Sequence, residues 1–333
     1  MKIYDCFIFF NELELLKLRL EELWNCVDYF VLVEATKTFS GKSKGLYFQK
    51  NKEKFSKYID KIVHVIIDDM PTPEKFNGDR WQVEYFQRNQ IMRGLKNCKD
   101  DDIIIISDVD EIPNPKKIPK AVRLLKRKNI VENIVVFKQK FFYYYLNGFV
   151  NEDWQGPMAI TFKTLKETFN SMPQKARDYR YGEPFHNFYR LRNSITNISD
   201  KFKIEHFLLK LRDQKNIHYF DYFLRIIQTL KYMDLKKKYI QIIKNGGWHF
   251  TYLGGPDRII QKIDSFCDKQ FDTPELKDIK KINEKINQGK DLFDRNPTTP
   301  DIPKKVVYIP LDKSFPKTLL KNKAEYTHLI KKV

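Results

Sequence analysis

Cysteine is rare in this chain, four residues in 333, and its placing excludes the metal and disulfide frameworks that cysteine usually signals. Cys6, Cys26, Cys98 and Cys267 stand far apart, form no Cys-x-x-Cys pair, and lie in or beside apolar stretches where a thiol packs as a small hydrophobe. Reduced thiols in a reducing compartment are expected. No run of about 18 or more apolar residues occurs, which excludes a membrane-spanning helix. The N-terminal apolar stretch is broken by Asp5 and lacks a small-residue cleavage site, so no secretory signal is expected. There is no internal repeat and no long linker. His186, His206 and His218 are scattered without ligand spacing. These absences predict a soluble, cytoplasmic protein.

Acidic residues are outnumbered, 43 against 61 basic, and the net charge of +18 points to anionic partners: a nucleotide, a nucleic acid or an acidic membrane surface. The excess is spread along the chain, so charge alone does not choose among them. A hydrophobic content of 42%, with 14% aromatic residues, excludes disorder. The length suits one large α/β domain or two smaller lobes.

The most informative stretch is Ile103-Ile104-Ile105-Ile106-Ser107-Asp108-Val109-Asp110-Glu111-Ile112-Pro113. Four β-branched residues in a row predict a strand buried on both faces, as in a parallel sheet. Ligands of open α/β sheets sit beyond the carboxyl ends of the strands. Asp108 and Asp110 emerge there and, two residues apart in extended chain, point to the same side. Two such carboxylates can hold a divalent cation that also binds a diphosphate. The Asp-x-Asp at residues 100–102 precedes the strand and reads as a solvated turn.

Around this strand the chain predicts strands at residues 2–10, 29–34 and 62–67 and a helix ending near Trp24, capped by Asn11 with Glu14. Leu13, Leu16, Leu20 and Leu23 form its apolar stripe. An amphipathic helix at 81–95 carries Arg88, whose donor fork either faces a phosphate or lies on a solvated face. A basic helix is expected at 116–128 and a strand at 134–145, in which the aromatic run 141–145 reads as core plus groove wall. Residues 151–157 read as a Trp-bearing loop, followed by a strand at 159–165. Residues 178–244 become irregular and then helical, with 220–230 apolar. The segment Gly246-Gly247-Trp248-His249-Phe250-Thr251-Tyr252-Leu253-Gly254-Gly255-Pro256 predicts a strand between paired glycines. Its His249 is either a core residue or a ligand. Gly254 and Gly255 permit close backbone approach to a ligand, at the N-terminus of a helix over 257–266 that could receive a phosphate. A Lys-rich helix at 275–288, a strand at 306–309 and a helix at 316–330 complete the chain.

Residues 4–12, Phe48 after a Gly-Lys-rich loop, Gln87-Arg88-Asn89, and residues 108–113, 246–255 and 289–295 occur in the order seen in glycosyltransferase family 17. The chain resembles that family over most of its length, excluding roughly residues 178–244. The family includes the β-1,4-mannosyl-glycoprotein β-1,4-N-acetylglucosaminyltransferases. The resemblance implies a GT-A-like, Rossmann-like α/β fold: a mixed, mainly parallel sheet flanked by helices, with a C-terminal helical elaboration. It implies one domain over residues 1–333, with a nucleotide-sugar-binding half at 1–130 and an acceptor-side half at 131–333 that carries an insertion at 178–244. It further implies a UDP-sugar donor, UDP-N-acetylglucosamine by precedent, a manganese or magnesium ion, and inverting transfer to a hydroxyl of a glycan or glycoprotein. Asp108 and Asp110 would hold the metal with the donor diphosphate. His249 would add a ligand, and Arg88, Gly254 and Gly255 would contact the donor. The sequence departs from the family where Asp268 and Gln270 stand in place of a His and a Glu.

Inversion needs a carboxylate within reach of the attacking hydroxyl, away from the leaving diphosphate. Asp153 beside Trp154, Glu183 in Tyr181-Gly182-Glu183-Pro184, and Asp257 after Gly-Gly-Pro are the candidates. Two other readings compete. A basic, aromatic-rich nucleic-acid-binding protein would leave the strand-end carboxylates unexplained. A nucleotidyltransferase or phosphohydrolase would use the same aspartates.

Overall fold

In a computed structural model, residues 1–126, 133–181, 240–297, 299 and 302–333 are described. Strands β1 (Ile3–Phe9), β2 (Tyr29–Ala35), β3 (Ile62–Ile67) and β4 (Ile103–Asp108) lie parallel in the order β3-β2-β1-β4. β7 (Gly148–Thr161) pairs antiparallel with both β4 and β6 (Ile134–Tyr143). β8 (Ile240–Ile243) and β9 (Gly247–Thr251) run parallel to β6, while β5 (Glu111–Pro113) pairs antiparallel with β9. A short β10 (Val307–Tyr308) pairs with β7. Helices cover this mixed sheet, in keeping with the strand–helix alternation of the sequence.

The run of isoleucines in β4 explains the layering. Ile104 and Ile106 join the core under α2 (Arg80–Asn89), with Val31, Val33, Val83 and Ile91. Ile103 and Ile105 face the other way, into Phe7, Phe30, Leu16 and Leu20, the last two from α1 (Leu13–Leu23). All four are essentially inaccessible, and each such side chain contributes roughly 1.5–3 kcal/mol of burial free energy.

Several expected elements differ. The capping pair at α1 does not form: the Asn11 amide donates to Gln261 at 2.8 Å, and Glu14 accepts two bonds from Arg258 at 2.6 and 3.0 Å. A cation more than 240 residues away outcompetes the local backbone. The helix expected through residue 95 ends at Asn89 and tightens into a 3₁₀ turn, Gln90–Gly94. That turn packs on β2 so closely that a Cβ on Gly94 would lie 2.4 Å from Val31 Cγ1. Residues 151–157 are not a loop but the middle of β7. The register against β6 shifts between Val136 and Lys138, opposite Gly156 and Pro157. A bulge accommodates a residue with no N–H to donate. β7 stops at Thr161, whose hydroxyl accepts from the Thr164 N–H and starts α4 (Phe162–Glu167). The strand expected to run on to residue 165 is thereby cut short. Near the C-terminus, the expected single helix splits into Lys317–Lys321 and a 3₁₀ turn, Lys323–Leu329, around Asn322, whose amide donates to Glu21. Residues 240–243, expected to be helical, form β8. Glu183, the three scattered histidines and the apolar 220–230 segment lie outside the described residues.

Candidate active site

A cleft of about 490 Å³ opens at the carboxyl ends of β1, β2 and β4 and is walled by β6, β7, β9 and α6 (Gly255–Ser265). Asp108 closes β4 and is gripped from two sides. Its Oδ1 accepts from Arg88 at 2.8 Å and its Oδ2 from Arg177 at 2.5 Å. Burial alone would raise the Asp108 pKa, but the Arg177 and Arg88 guanidiniums outweigh it and hold the carboxyl well below the usual carboxylate range. Arg88 comes from α2 and Arg177 from α5 (Pro173–Asp178). Arg88 is buried, with further bonds to Glu84 and to the Gln174 carbonyl, which settles against a solvated helix face.

Glu111, wholly buried, accepts from Arg177 at 2.7 and 2.9 Å, from the Trp154 indole N–H at 2.9 Å and from the Asp108 backbone N–H at 3.1 Å. Burial opposes its ionisation, yet Arg177 keeps its pKa below the ordinary value.

Asp110 faces a different set of groups. Its Oδ2 is 3.2 Å from the Lys262 ammonium, which also donates to Thr251 Oγ1 at 3.2 Å, and 3.7 Å from His249 Nε2. Burial pushes the Asp110 pKa up and Lys262 and His249 pull it down, with a net lowering. Burial would lower that of Lys262, but Asp110 raises it, so the ammonium stays charged. The His249 ring stacks on Phe141, 5.0 Å away, and on Trp154, 4.0 Å away, and those two rings also meet each other at 5.2 Å. Its Nδ1 is buried without a hydrogen-bond partner among the described residues.

These residues can be tested against a divalent cation. Two ligands of one small cation, each at roughly 2.1 Å, stand about 3–4 Å apart; Asp110 Oδ2 and His249 Nε2 do so, too far for a hydrogen bond. Among the described residues no three His, Cys, Asp or Glu side chains converge. A cation here would take the remaining ligands from a diphosphate and water, as magnesium commonly does. Both Asp108 oxygens serve guanidiniums, and Asp110 Oδ2 also meets the Lys262 ammonium at 3.2 Å, so a cation held by Asp110 and His249 would have to displace that ammonium.

The other residues singled out in the sequence are placed elsewhere. Asp153 projects from β7 away from the cleft and pairs with Lys138 at 2.5 Å, because strand alternation sends it opposite to Trp154. Asp257 is exposed on the first turn of α6. Gly254 and Gly255 adopt φ of 92° and 82° and turn the chain into α6 without lining the cleft. It is Lys262, two turns along α6, that reaches it.

Two carboxylates to which no role was assigned from the sequence, one of them Asp268 at the departure from the family pattern, do line the cleft. Asp178 accepts from the Gln174 amide at 2.7 Å and Asp268 from the Gln270 amide at 3.3 Å, and among the described residues neither forms an ion pair. Loss of hydration raises both pKa values. Arg177, Lys262 and Glu111 were missed as well. Glu111 adjoins the acidic pair and carried that signal; Lys262 and Arg177 lie on helices whose spacing says nothing of a partner so distant in the chain.

The fold and site together define a mixed α/β protein with a charged cleft at the carboxyl ends of its parallel strands. A model of glycosyltransferase family 17 matches residues 1–177, more than half of the chain, and the chain belongs to that family. Over 108 residues it is 32% identical to the beta-1,4-mannosyl-glycoprotein 4-beta-N-acetylglucosaminyltransferases of Homo sapiens and Rattus norvegicus, and 31% identical to that of Mus musculus. These matches cover 31% of this chain and 20% of each relative, so the chain spans about a fifth of the curated relatives' length. Among the described residues no helix is long and apolar enough to cross a membrane.

Proposed function

We propose that the protein is a glycosyltransferase with a GT-A-like fold that moves a sugar from a nucleoside diphosphate to a hydroxyl of a glycan acceptor. The relatives' names favour UDP-N-acetylglucosamine as donor. The observation that carries the reading is the Asp110–His249–Lys262 cluster in the cleft beyond the end of β4. Such a cluster suits a diphosphate: the carboxylate and imidazole would hold a divalent cation, and the ammonium would donate directly to phosphate oxygens. The bound cation would supply charge neutralisation for the departing diphosphate.

The chain's own groups do the rest. Arg88 and Arg177 keep Asp108 ionised and immobile beside the cluster. Phe141 and Trp154 wall the cleft around His249 and exclude water from that side. As the acceptor oxygen bonds to the anomeric carbon and the bond to the diphosphate breaks, the hydroxyl proton passes to a carboxylate. Of Asp178 and Asp268, neither ion-paired among the described residues, Asp268 is the candidate we favour, because fewer cations act on it. The guanidinium acting on it is Arg295, whereas Asp178 lies in the field of Arg88, Arg180 and Arg177, which depress its basicity.

The test is product analysis over a panel of nucleotide sugars with and without manganese. Release of UDP with glycosylation of a mannose-containing acceptor is the expected result. Release of pyrophosphate instead would make the protein a nucleotidyltransferase, and no turnover without a thermal shift by any donor would end the transferase reading.

A further inference from the structure

Arg19 has no place in the chemistry above, yet it is among the largest wholly buried side chains in the molecule. It rises from α1 beneath the turn that carries Asp108 and Asp110. Its Nε and one terminal nitrogen grip the two oxygens of Asp5, in β1, at 2.7 and 2.6 Å, and the same terminal nitrogen donates to Ser107 Oγ at 2.5 Å. The other terminal nitrogen meets three backbone carbonyls, those of Asp108 at 2.9 Å, Val109 at 3.2 Å and Glu111 at 2.9 Å. All five guanidinium hydrogens are therefore directed at acceptors, and the plane lies over the Phe7 ring, 4.5 Å from its centre.

A buried ion pair is a poor source of stability, since desolvation offsets most of its attraction. What this one does is geometric. Three carbonyls drawn to a single nitrogen fix the path of the backbone through residues 108–111, with the Asp108 and Asp110 side chains left to the cleft. A lysine, with three donors on a point charge, cannot reproduce that fork.

We propose that Arg19 is a positioning residue, a clamp that sets the Asp108–Asp110 turn in its working geometry while touching no ligand. The proposal rests on the transferase reading for its kinetic consequence but not for its structural one. Two variants test it, Arg19→Lys and Ser107→Ala, the second removing one contact without leaving a buried charge alone. Hydrogen exchange should quicken selectively at the amides of residues 107–111 in both, with the remainder of the sheet protected as in the wild type. In the same folded samples, turnover should fall, by roughly tenfold or more for Arg19→Lys, and the manganese half-saturation should rise, because small misplacements of reacting groups are costly.

Exchange at the turn unchanged in both variants overturns the proposal, whether or not any donor is turned over. So does selective exchange accompanied by turnover and metal half-saturation within twofold of the wild type. If Arg19→Lys does not fold, Ser107→Ala alone decides by the same readings. A wild-type protein that turns over no nucleotide sugar defeats the transferase reading, while hydrogen exchange at residues 107–111 in the two variants still judges the clamp.

Discussion

At the scale of single residues, the two halves of the acidic pair have separate duties. Asp108 is committed to two guanidiniums, whereas Asp110 shares its carboxylate with an ammonium and an imidazole. Asp110→Asn keeps the shape but removes the charge, and turnover is expected to fall about a hundredfold or more, with manganese stimulation lost. His249→Ala should weaken metal dependence by roughly ten- to a hundredfold, with turnover lost in step. The check is a manganese titration of both variants beside their melting curves; a His249→Ala protein that melts early yet keeps full metal-dependent turnover per folded molecule would mark the ring as core packing alone. Asp108, Asp110 and His249 were legible in the sequence because each sits at a predictable end or middle of a strand. Lys262 and Asp268 were not, because nothing local distinguishes a helix lysine or a turn aspartate that faces a cleft from one that faces water. Asp153 misled for the opposite reason: its neighbour Trp154 lies in the cleft, and strand alternation carries the carboxylate to the other side.

At the scale of elements, β1 to β4 were plain from apolar runs ending in acidic or polar turns, and their observed bounds differ by at most two residues at either end, whereas β8, parallel to β6, lies where a helix was expected. β7 was hidden, since Gly156 and Pro157 punctuate it as a loop would, and only the pairing with β6 shows that they occupy a bulge. The central strand should be the most sensitive element. Ile105, 1% exposed and packed among Phe7, Phe30 and Leu32, should cost about 2–5 kcal/mol when cut to alanine and about 0.5–1.5 when cut to valine. Urea denaturation with an unchanged slope would confirm both; a loss below 1 kcal/mol for the alanine variant would contradict the burial of this face.

For the whole molecule, pH acts through two opposed groups of carboxylates. Asp108, Asp110 and Glu111 ionise more readily folded than unfolded. Their contribution to stability is therefore present above about pH 4–4.5 and is lost as pH falls through their lower folded pKa values. Asp268 is shifted the other way. If it takes the acceptor proton, activity should rise with pH through a midpoint above the ordinary aspartate value of 3.8, while the fold is still intact. Asp268→Asn should abolish transfer while sparing donor binding and slow donor hydrolysis. A pH–rate profile of that variant with an acid limb like the wild type's would move attention to Asp178.

The pairing of β6 has a further consequence for how the polypeptide is made. One edge of this apolar strand is covered by β7 once residue 161 has left the ribosome, while among the described residues the other is completed by β8 and β9, which begin at residues 240 and 247. At bacterial or eukaryotic elongation rates the interval is on the order of ten seconds. Throughout it the nascent chain presents an unfinished hydrophobic edge of the kind that recruits other strands. His249 and Lys262 arrive on the same late segment, so the nascent protein meets its greatest risk of aggregation before its cleft exists.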